Sequence, residues 1–428
     1  MNAARKSLAL LVLLAFALHA PGRAEPQDTA TSTKLKEAIA KELVSVADTA
    51  SDNGLNVKAE SLLKQALELQ PDDRKATKAL EKLENHEDTT DAEAIAKYEK
   101  KADRHLKKAA SFYCDLFSEL FDDKDTTSVN SYLARAFELH AESANEWVEG
   151  EYRSRYGKKQ YNEVYRLLNL AQTYPTGDER QDQAREAAMV DCVAQLSVRN
   201  PLLMHCRTHD MCYYLSLPNG WTKDKEWPIY VAQEGAGSNF QGMNRAAAKD
   251  NSEFIVVSCC TFSNTNSLDG QAKKYPYTQE FLDKWSGNRL AFDEPGLLAV
   301  MKEVRELYNG TEKICITGYS GGGILTWHMV FKHPDKLIAA VPACANFAGA
   351  QEVSDDAEAK KKVIVHAYQG DKDQHKETML DAQWEAAKKL ADANGYEHVT
   401  RDIIPGGHIA CHKQAREVFL EACELKKD

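Results

Sequence analysis

Features that mark several classes of protein are scarce or missing in this chain of 428 residues. No stretch reaches the roughly 20 apolar residues that a membrane-spanning helix needs. Ten cysteines are too few to serve as a disulfide scaffold for a chain of this length. Acidic residues outnumber basic ones by 65 to 54, so no basic surface for nucleic acid is expected. These absences leave a globular chain, long enough for two domains, with no membrane span and no nucleic-acid partner.

The amino-terminal segment has the order of charge and hydrophobicity that is typical of a secretory signal peptide. Arg5 and Lys6 form a positively charged start, Leu8 to Leu18 an apolar stretch, and Gly22 to Ala24 a cleavage site with small residues. We therefore expect residues 1–24 to be a signal peptide. The mature protein is expected to be secreted or periplasmic.

Residues 25–203 are rich in Ala, Leu, Glu and Lys and poor in glycine, a composition that predicts an all-helical domain. The segments AESLLKQALELQPDD and YNEVYRLLNLAQTYPTGDE predict helices that end before Pro71 and Pro175. Both segments resemble the closing helix of tetratricopeptide-type repeats. An irregular helical domain is the alternative that the composition leaves open. Such a domain either binds a protein partner or covers the second domain.

Residues 204–428 alternate short apolar runs with amphipathic stretches, which predicts a mostly parallel sheet with helices on both faces. The region begins with MHCRTHDMC, Met204 to Cys212, which holds two histidines and two cysteines. Their spacing fits no standard zinc site, and strand-like residues follow Cys212. We therefore predict a hairpin there, and no metal site.

The run KICITGYSGGG has the pattern of a catalytic-serine turn. Ile314 to Thr317 predict a buried strand, and Gly321 onward predicts a helix. Between them stands Ser320, flanked by Gly318 and Gly322, at which a Cβ atom would strike the neighbouring strand and helix. The pattern predicts an exposed serine nucleophile on a strained turn at the carboxyl edge of the sheet.

A serine nucleophile needs a base, and the base needs an orienting acid. His408 follows Pro405-Gly406-Gly407, a turn flexible enough to project an imidazole over the edge of the sheet. The turn after the strand that contains Val365 offers Asp371 and Asp373 as the acid. The residues thus occur in the order Ser, Asp, His along the chain.

This half resembles the α/β-hydrolases, nearest to secreted esterases and polyhydroxybutyrate-depolymerase-like enzymes. The resemblance covers roughly residues 207–428 and lies in WPIYVAQEGAGSNF, GYSGGG, HAYQGDKDQ and IPGGH. It implies that Asp373, three residues after Gly370, is the acid and that Asp371 stabilises the turn. It also implies an oxyanion hole formed by the N–H groups of Gly321 and Ala236. The chain departs from the family at Glu234, where a histidine is usual.

The resemblance implies an exported serine esterase that uses an acyl-enzyme and needs neither metal nor cofactor. Its substrate would be a small-molecule or polymer-linked ester. Aromatic residues near the turns either line the substrate pocket or form ordinary core; those named as substrate-binding candidates are Tyr319, Trp327 and Phe347. The alternative function is a weakly active or inactive hydrolase-fold protein whose helical domain is a protein-binding scaffold, because the Glu234 carboxylate would repel an oxyanion.

Overall fold

A computed structural model of the protein describes residues 29–83, 87–121, 126–198, 200–349 and 352–425. The predicted signal peptide, residues 1–24, lies outside the described residues. The chain divides into two compact units, Met1–Met189 and Val190–Asp428. No helix in the described ranges is long and apolar enough to cross a membrane.

The regular secondary structure described in the first unit is helical, as the composition predicts, apart from an isolated bridge between Leu55 and Asp88. Its helices, the last of which continues into the second unit, are α1 (Ala30–Ser51), α2 (Asn56–Leu69), α3 (Arg74–Glu81), α4 (Ala92–Leu120), α5 (Thr126–Gly157), α6 (Tyr161–Ala171) and α7 (Glu179–Ser197).

The helices α2 and α6 end before Pro71 and Pro175, as predicted, because proline cannot continue a helix. Helix length does not repeat, since α3 has 8 residues and α5 has 32. The long helix α5 is also broken by non-helical backbone at His140 (φ −155°, ψ 87°). This irregularity favours the irregular helical domain over a regular tetratricopeptide array.

The second unit contains a sheet of eight strands within the described residues. These strands are β1 (Leu202–His205), β2 (Cys212–Ser216), β3 (Trp227–Gln233), β4 (Ile255–Cys259), β5 (Gly310–Tyr319), β6 (Leu337–Ala343), β7 (Ile364–Gly370) and β8 (Val399–Ile404). Their order is β1-β2-β4-β3-β5-β6-β7-β8. The strands β1, β2 and β4 pair antiparallel and all later neighbours pair parallel, so the predicted mostly parallel sheet is confirmed.

The described residues of the second unit also form helices, several of which pack on the sheet. These helices are α8 (Phe240–Ala247), α9 (Gln279–Trp285), α10 (Leu290–Tyr308), α11 (Gly323–Lys332), α12 (Ala357–Lys362), α13 (Asp381–Ala393) and α14 (His412–Ala422). Residues of α8 and α14, among them Met243 and Phe419, pack with Tyr230 and Cys315 of the central strands. Every residue from Ile314 to Gly318 is buried, so β5 is covered on both faces, as its apolar sequence predicts.

Two local features of this unit are the hairpin at its start and the helix before β5. The predicted hairpin is confirmed, because β1 and β2 pair antiparallel with His205 opposite Cys212. The helix before β5, α10, begins at Leu290 and includes Pro295. Pro295 is the sixth residue of α10, beyond the first turn, and it lacks the N–H that would bond the carbonyl of Ala291.

Candidate functional site

Ser320 stands on a strained turn at the carboxyl end of β5. The strand ends at Tyr319, and a single 3₁₀ turn, Ser320–Gly322, leads into α11. Ser320 has φ +50°, in the left-handed region that residues other than glycine rarely adopt. The strand, strained turn and helix follow one another as the sequence predicts.

The glycines around Ser320 are required by close packing. A Cβ atom on Gly318 would collide with the side chain of Thr326 and the carbonyl of Gly322. A Cβ on Gly322 would lie 2.6 Å from the carbonyl oxygen of Gln233. Both collisions are with the neighbouring helix or strand, so the predicted steric reason for these glycines is confirmed.

The turn after β7 and the turn after β8 meet through a carboxylate and an imidazole. His408 Nδ1 lies 2.7 Å from Asp373 Oδ2, and the Asp373 side chain is completely buried. That carboxylate also accepts hydrogen bonds from the N–H of His375 at 2.8 Å and the amide of Gln369 at 2.9 Å. Burial raises the pKa of Asp373, but these hydrogen bonds outweigh burial and hold the pKa below its ordinary value. Asp373 is therefore an ionised acceptor beside the imidazole.

Asp371, the other candidate acid, has a different partner. Its Oδ1 accepts a hydrogen bond of 2.8 Å from the N–H of Gly406, two residues before His408. The carboxylate therefore stabilises the turn that carries the histidine and does not bond the imidazole.

The residues after four neighbouring strands line one edge of the sheet. Ser320 follows β5, Cys344 follows β6, Asp373 follows β7 and His408 follows β8, and these strands are adjacent and parallel in that order. Among the described residues no hydrogen bond joins His408 to Ser320. In serine enzymes without substrate, the distance between the base and the nucleophile is often too long for a hydrogen bond, and it shortens when substrate binds.

Cys344 is the member of this row that sequence reasoning missed. Its Sγ, a carboxylate oxygen of Asp373 and a ring nitrogen of His408 lie within 4.8 Å of one another. Contact with Cys411, stronger than the opposing effect of burial, lowers the pKa of Cys344. The sequence shows that Cys344 follows a strand, but that this strand neighbours the serine strand is seen only in the sheet order.

Cys344 acts in turn on the pKa of His408. Its hydrogen bond raises the pKa of His408, burial lowers that pKa, and the Asp373 hydrogen bond raises it again, so the net shift is upward. A sulfur, an oxygen and a nitrogen are ligand types that zinc uses. The hydrogen bond between Asp373 and His408 joins Nδ1 and Oδ2, so a metal ion could bind through these two atoms only by breaking it.

The loop after β3 brings backbone N–H groups beside the serine. A Cβ atom on Gly235 would lie 3.0 Å from the Cβ of Ser320. The N–H of Ser238 donates to the Gly235 carbonyl at 3.0 Å. Among the described residues, the N–H groups of Ala236 and Gly237, which lie between these two, have no acceptor. The N–H of Gly321 belongs to the first turn of a helix, where no intrahelical acceptor exists. The two predicted donors, Ala236 and Gly321, therefore come from segments that flank Ser320.

Glu234 turns its carboxylate into this loop. Its Oε1 accepts a hydrogen bond of 2.8 Å from the N–H of Gly235. Burial raises the pKa of Glu234, although the Gly235 hydrogen bond lowers it. The hydrogen bond to the loop weakens the repulsion that a free carboxylate would exert on an oxyanion.

The predicted substrate-binding residues fall into two groups. The Tyr319 hydroxyl donates to the His408 carbonyl at 3.1 Å, and the two rings lie 4.9 Å apart. Trp327 and Phe347 are buried instead, and Trp327 packs against Phe331, Phe347 and Trp384 with ring centroids 5.9 to 6.2 Å apart. This burial favours the core interpretation for Trp327 and Phe347, and leaves Tyr319 beside the histidine.

Comparisons with known proteins gave structural neighbours only. No family model matches the sequence, and no curated protein matches it. A thermostable esterase is 19% identical over 54% of this chain and 64% of its own, with a TM-score of 0.37. The Bacillus cereus carboxylesterase is 17% identical over 50% of this chain and 95% of its own, with a TM-score of 0.36. A ferulic acid esterase is 15% identical over 53% of this chain and 97% of its own, with a TM-score of 0.34.

The fold follows from the chain's own topology. Its strand order begins with antiparallel strands and continues in parallel, and a strained serine turn follows the fifth strand. Acid and histidine turns follow the seventh and eighth strands. The second unit has the α/β-hydrolase fold, preceded in the chain by a helical unit.

Proposed function

We propose that the second unit is a serine hydrolase that cleaves carboxylic esters through an acyl-enzyme. The observation that carries this proposal is the 2.7 Å hydrogen bond between His408 and buried Asp373, at the same edge of the sheet as strained Ser320. Acyl transfer requires a histidine held by a carboxylate and a nearby serine, and here the half-buried Ser320 stands on a strained turn at the same edge of the sheet. Acyl transfer by this route needs neither metal nor cofactor.

In the proposed reaction, Ser320 Oγ attacks the ester carbonyl and His408 takes the serine proton. Asp373 accepts the Nδ1–H hydrogen bond, which fixes the tautomer and stabilises the imidazolium. The N–H groups of Gly321 and Ala236 stabilise the negative oxygen of the tetrahedral intermediate. His408 then gives its proton to the departing alcohol. Water, activated by the same histidine, hydrolyses the acyl-enzyme and releases the acid.

The orientation of Glu234 supports an active enzyme over the inactive scaffold. A carboxylate that faced the hole would oppose an oxyanion, but this one accepts the N–H of Gly235. Tyr319, which touches His408, is the candidate for contact with the substrate.

Export and a partner for the helical unit are further parts of the proposal. The charge and hydrophobicity of residues 1–24 support secretion or transport to the periplasm. The helical unit is proposed to bind a protein partner, and the substrate is proposed to be a small-molecule or polymer-linked ester.

Hydrolysis of p-nitrophenyl acetate by the purified protein tests the reaction. We expect steady release of nitrophenol by the wild type, and none above background by Ser320→Ala. The exposed Ser267 provides a control, because Ser267→Ala removes a hydroxyl of the same unit and should leave the rate unchanged. Hydrolysis that survives Ser320→Ala would contradict the assignment of the nucleophile.

A further inference from the structure

The segment after β4 is held in place by a buried carboxylate. Asp293, fully buried in the first turn of α10, accepts the N–H of Phe262 at 2.8 Å and the N–H of Ser263 at 2.7 Å. Because two successive backbone N–H groups bond the carboxylate of one helix residue, the direction of the chain at the next residue, Asn264, is fixed.

The Asn264 side chain forms a closed set of hydrogen bonds beneath the loop after β3. Its Nδ2 donates to the Gly235 carbonyl at 2.7 Å and to Ser238 Oγ at 3.3 Å. Its Oδ1 accepts from the Tyr275 hydroxyl at 2.7 Å, and Ser238 Oγ donates to that hydroxyl at 3.1 Å. Asn264 is 1% exposed, and the bonds use every polar atom of its side chain. Ser238 itself has φ +56°, so this network holds a strained loop.

The Asn264 backbone contacts the other side of the proposed oxyanion hole. Its carbonyl oxygen lies against Gly321, at a position where a Cβ atom on Gly321 would collide with it. One buried residue therefore touches both segments that carry the proposed donors: its side chain holds the loop containing Ala236, and its main chain packs on Gly321.

We propose that Asn264 is a positioning residue that sets the distance between the two oxyanion-binding N–H groups. This role rests on the proposed esterase function. Donors that stabilise a transition state must be held in place before the reaction, and small displacements are costly. Asn264 does not touch the reacting atoms, so its removal should slow the chemical step and leave substrate binding largely unchanged.

The test compares Asn264→Ala with Asn251→Ala in the full chain. Asn251 is also buried and bonds backbone groups, those of Phe254 at 2.6 Å and 3.0 Å, but it lies before β4, at the opposite end of that strand. We expect both substitutions to destabilise the fold, and only Asn264→Ala to lower kcat, by on the order of 10²-fold with little change in KM. Affinity for phenylboronate, which forms a tetrahedral adduct with serine, should fall with kcat/KM in Asn264→Ala alone.

A milder variant keeps the test informative if Asn264→Ala does not fold. Tyr275→Phe removes one donor from the network and should give a smaller loss of the same kind, in kcat more than in KM. If the wild type hydrolyses esters and both variants match Asn251→Ala in kcat and in phenylboronate affinity, the positioning role is wrong and the esterase stands. If the wild type neither hydrolyses esters nor binds phenylboronate, the proposed function is wrong and this role fails with it.

Discussion

The serine turn and the histidine turn are held in place by different physical means. The serine turn depends on close packing, because no Cβ atom fits at Gly318 or Gly322. The histidine turn depends on polar contacts, from Asp371 to the Gly406 N–H and from Asp373 to the imidazole. The serine side should therefore respond to added volume and be indifferent to pH, whereas the histidine side should respond to charge and to pH.

The largest effect is expected from added volume in the serine turn. Gly318→Ala drives a methyl group into Thr326 and the Gly322 carbonyl, so the turn cannot keep its strained shape. We expect a loss of kcat approaching the ~10⁶-fold that removal of a serine nucleophile costs. Overpacking should also destabilise the fold by roughly 1–3 kcal/mol in urea unfolding. Gly287, with open space around it, is the control: Gly287→Ala should change neither quantity. An active Gly318→Ala would show that the turn is not sterically constrained.

The next effect concerns the two aspartates of the histidine side. Asp373→Asn keeps the shape but offers His408 an amide that favours the wrong tautomer, so kcat should fall on the order of 10⁴-fold by analogy with the serine triad. Asp371→Asn retains an oxygen that can accept the Gly406 N–H, so its loss should be far smaller. Kinetics of both variants, with folding checked by circular dichroism, measure the difference. A greater loss in Asp371→Asn would exchange the two roles.

These two turns also differ in how far the sequence could predict them. The serine turn is local, because strand, glycines and helix lie within one short segment around Ser320, and that segment predicts them directly. An aspartate and a histidine could be predicted in that order, since each follows a strand that the apolar pattern reveals. The choice of Asp373 over Asp371 as the candidate acid came from the family resemblance. Local pattern also predicted the helix ends before Pro71 and Pro175.

Contacts between distant segments could not be predicted in this way. Cys344 meets His408 only because β6 lies between the serine strand and the acid strand, which is a property of strand order. Asn264 bonds Gly235 across 29 positions of the chain. No periodicity or turn signal encodes such pairs, so the polar network around the oxyanion loop appears only in the folded structure.

The smallest effect is a shift in pH dependence. The Cys344 and Asp373 hydrogen bonds raise the pKa of His408 above its ordinary value of about 6.5. A general base must be neutral, so kcat/KM should begin to fall, as pH decreases, at a pH above that value. Cys344→Ser removes the sulfur atom that makes this contact and should move the acid limb to lower pH. Cys423→Ser is the control, because the Cys423 sulfur lies 3.6 Å from the sulfur of Cys315 and not beside the histidine.

The same shift links stability to pH. Because the pKa of His408 is higher in the folded than in the unfolded state, its protonation contributes stability that is fully present below about 6.5. That contribution should be lost as pH rises through the folded pKa. An acid limb of kcat/KM that is identical in the wild type and in Cys344→Ser would show that Cys344 does not act on the pKa of the histidine.

The central claim is that Ser320 is an activated nucleophile, and covalent labelling tests it most directly. A fluorophosphonate probe reacts with an activated serine hydroxyl and spares ordinary surface serines. We predict that intact-mass measurement will find one probe per wild-type chain, attached to Ser320 by peptide mapping, and none on Ser320→Ala. A wild-type chain that stays unlabelled, or a Ser320→Ala chain that is labelled as fully as the wild type, would contradict the claim.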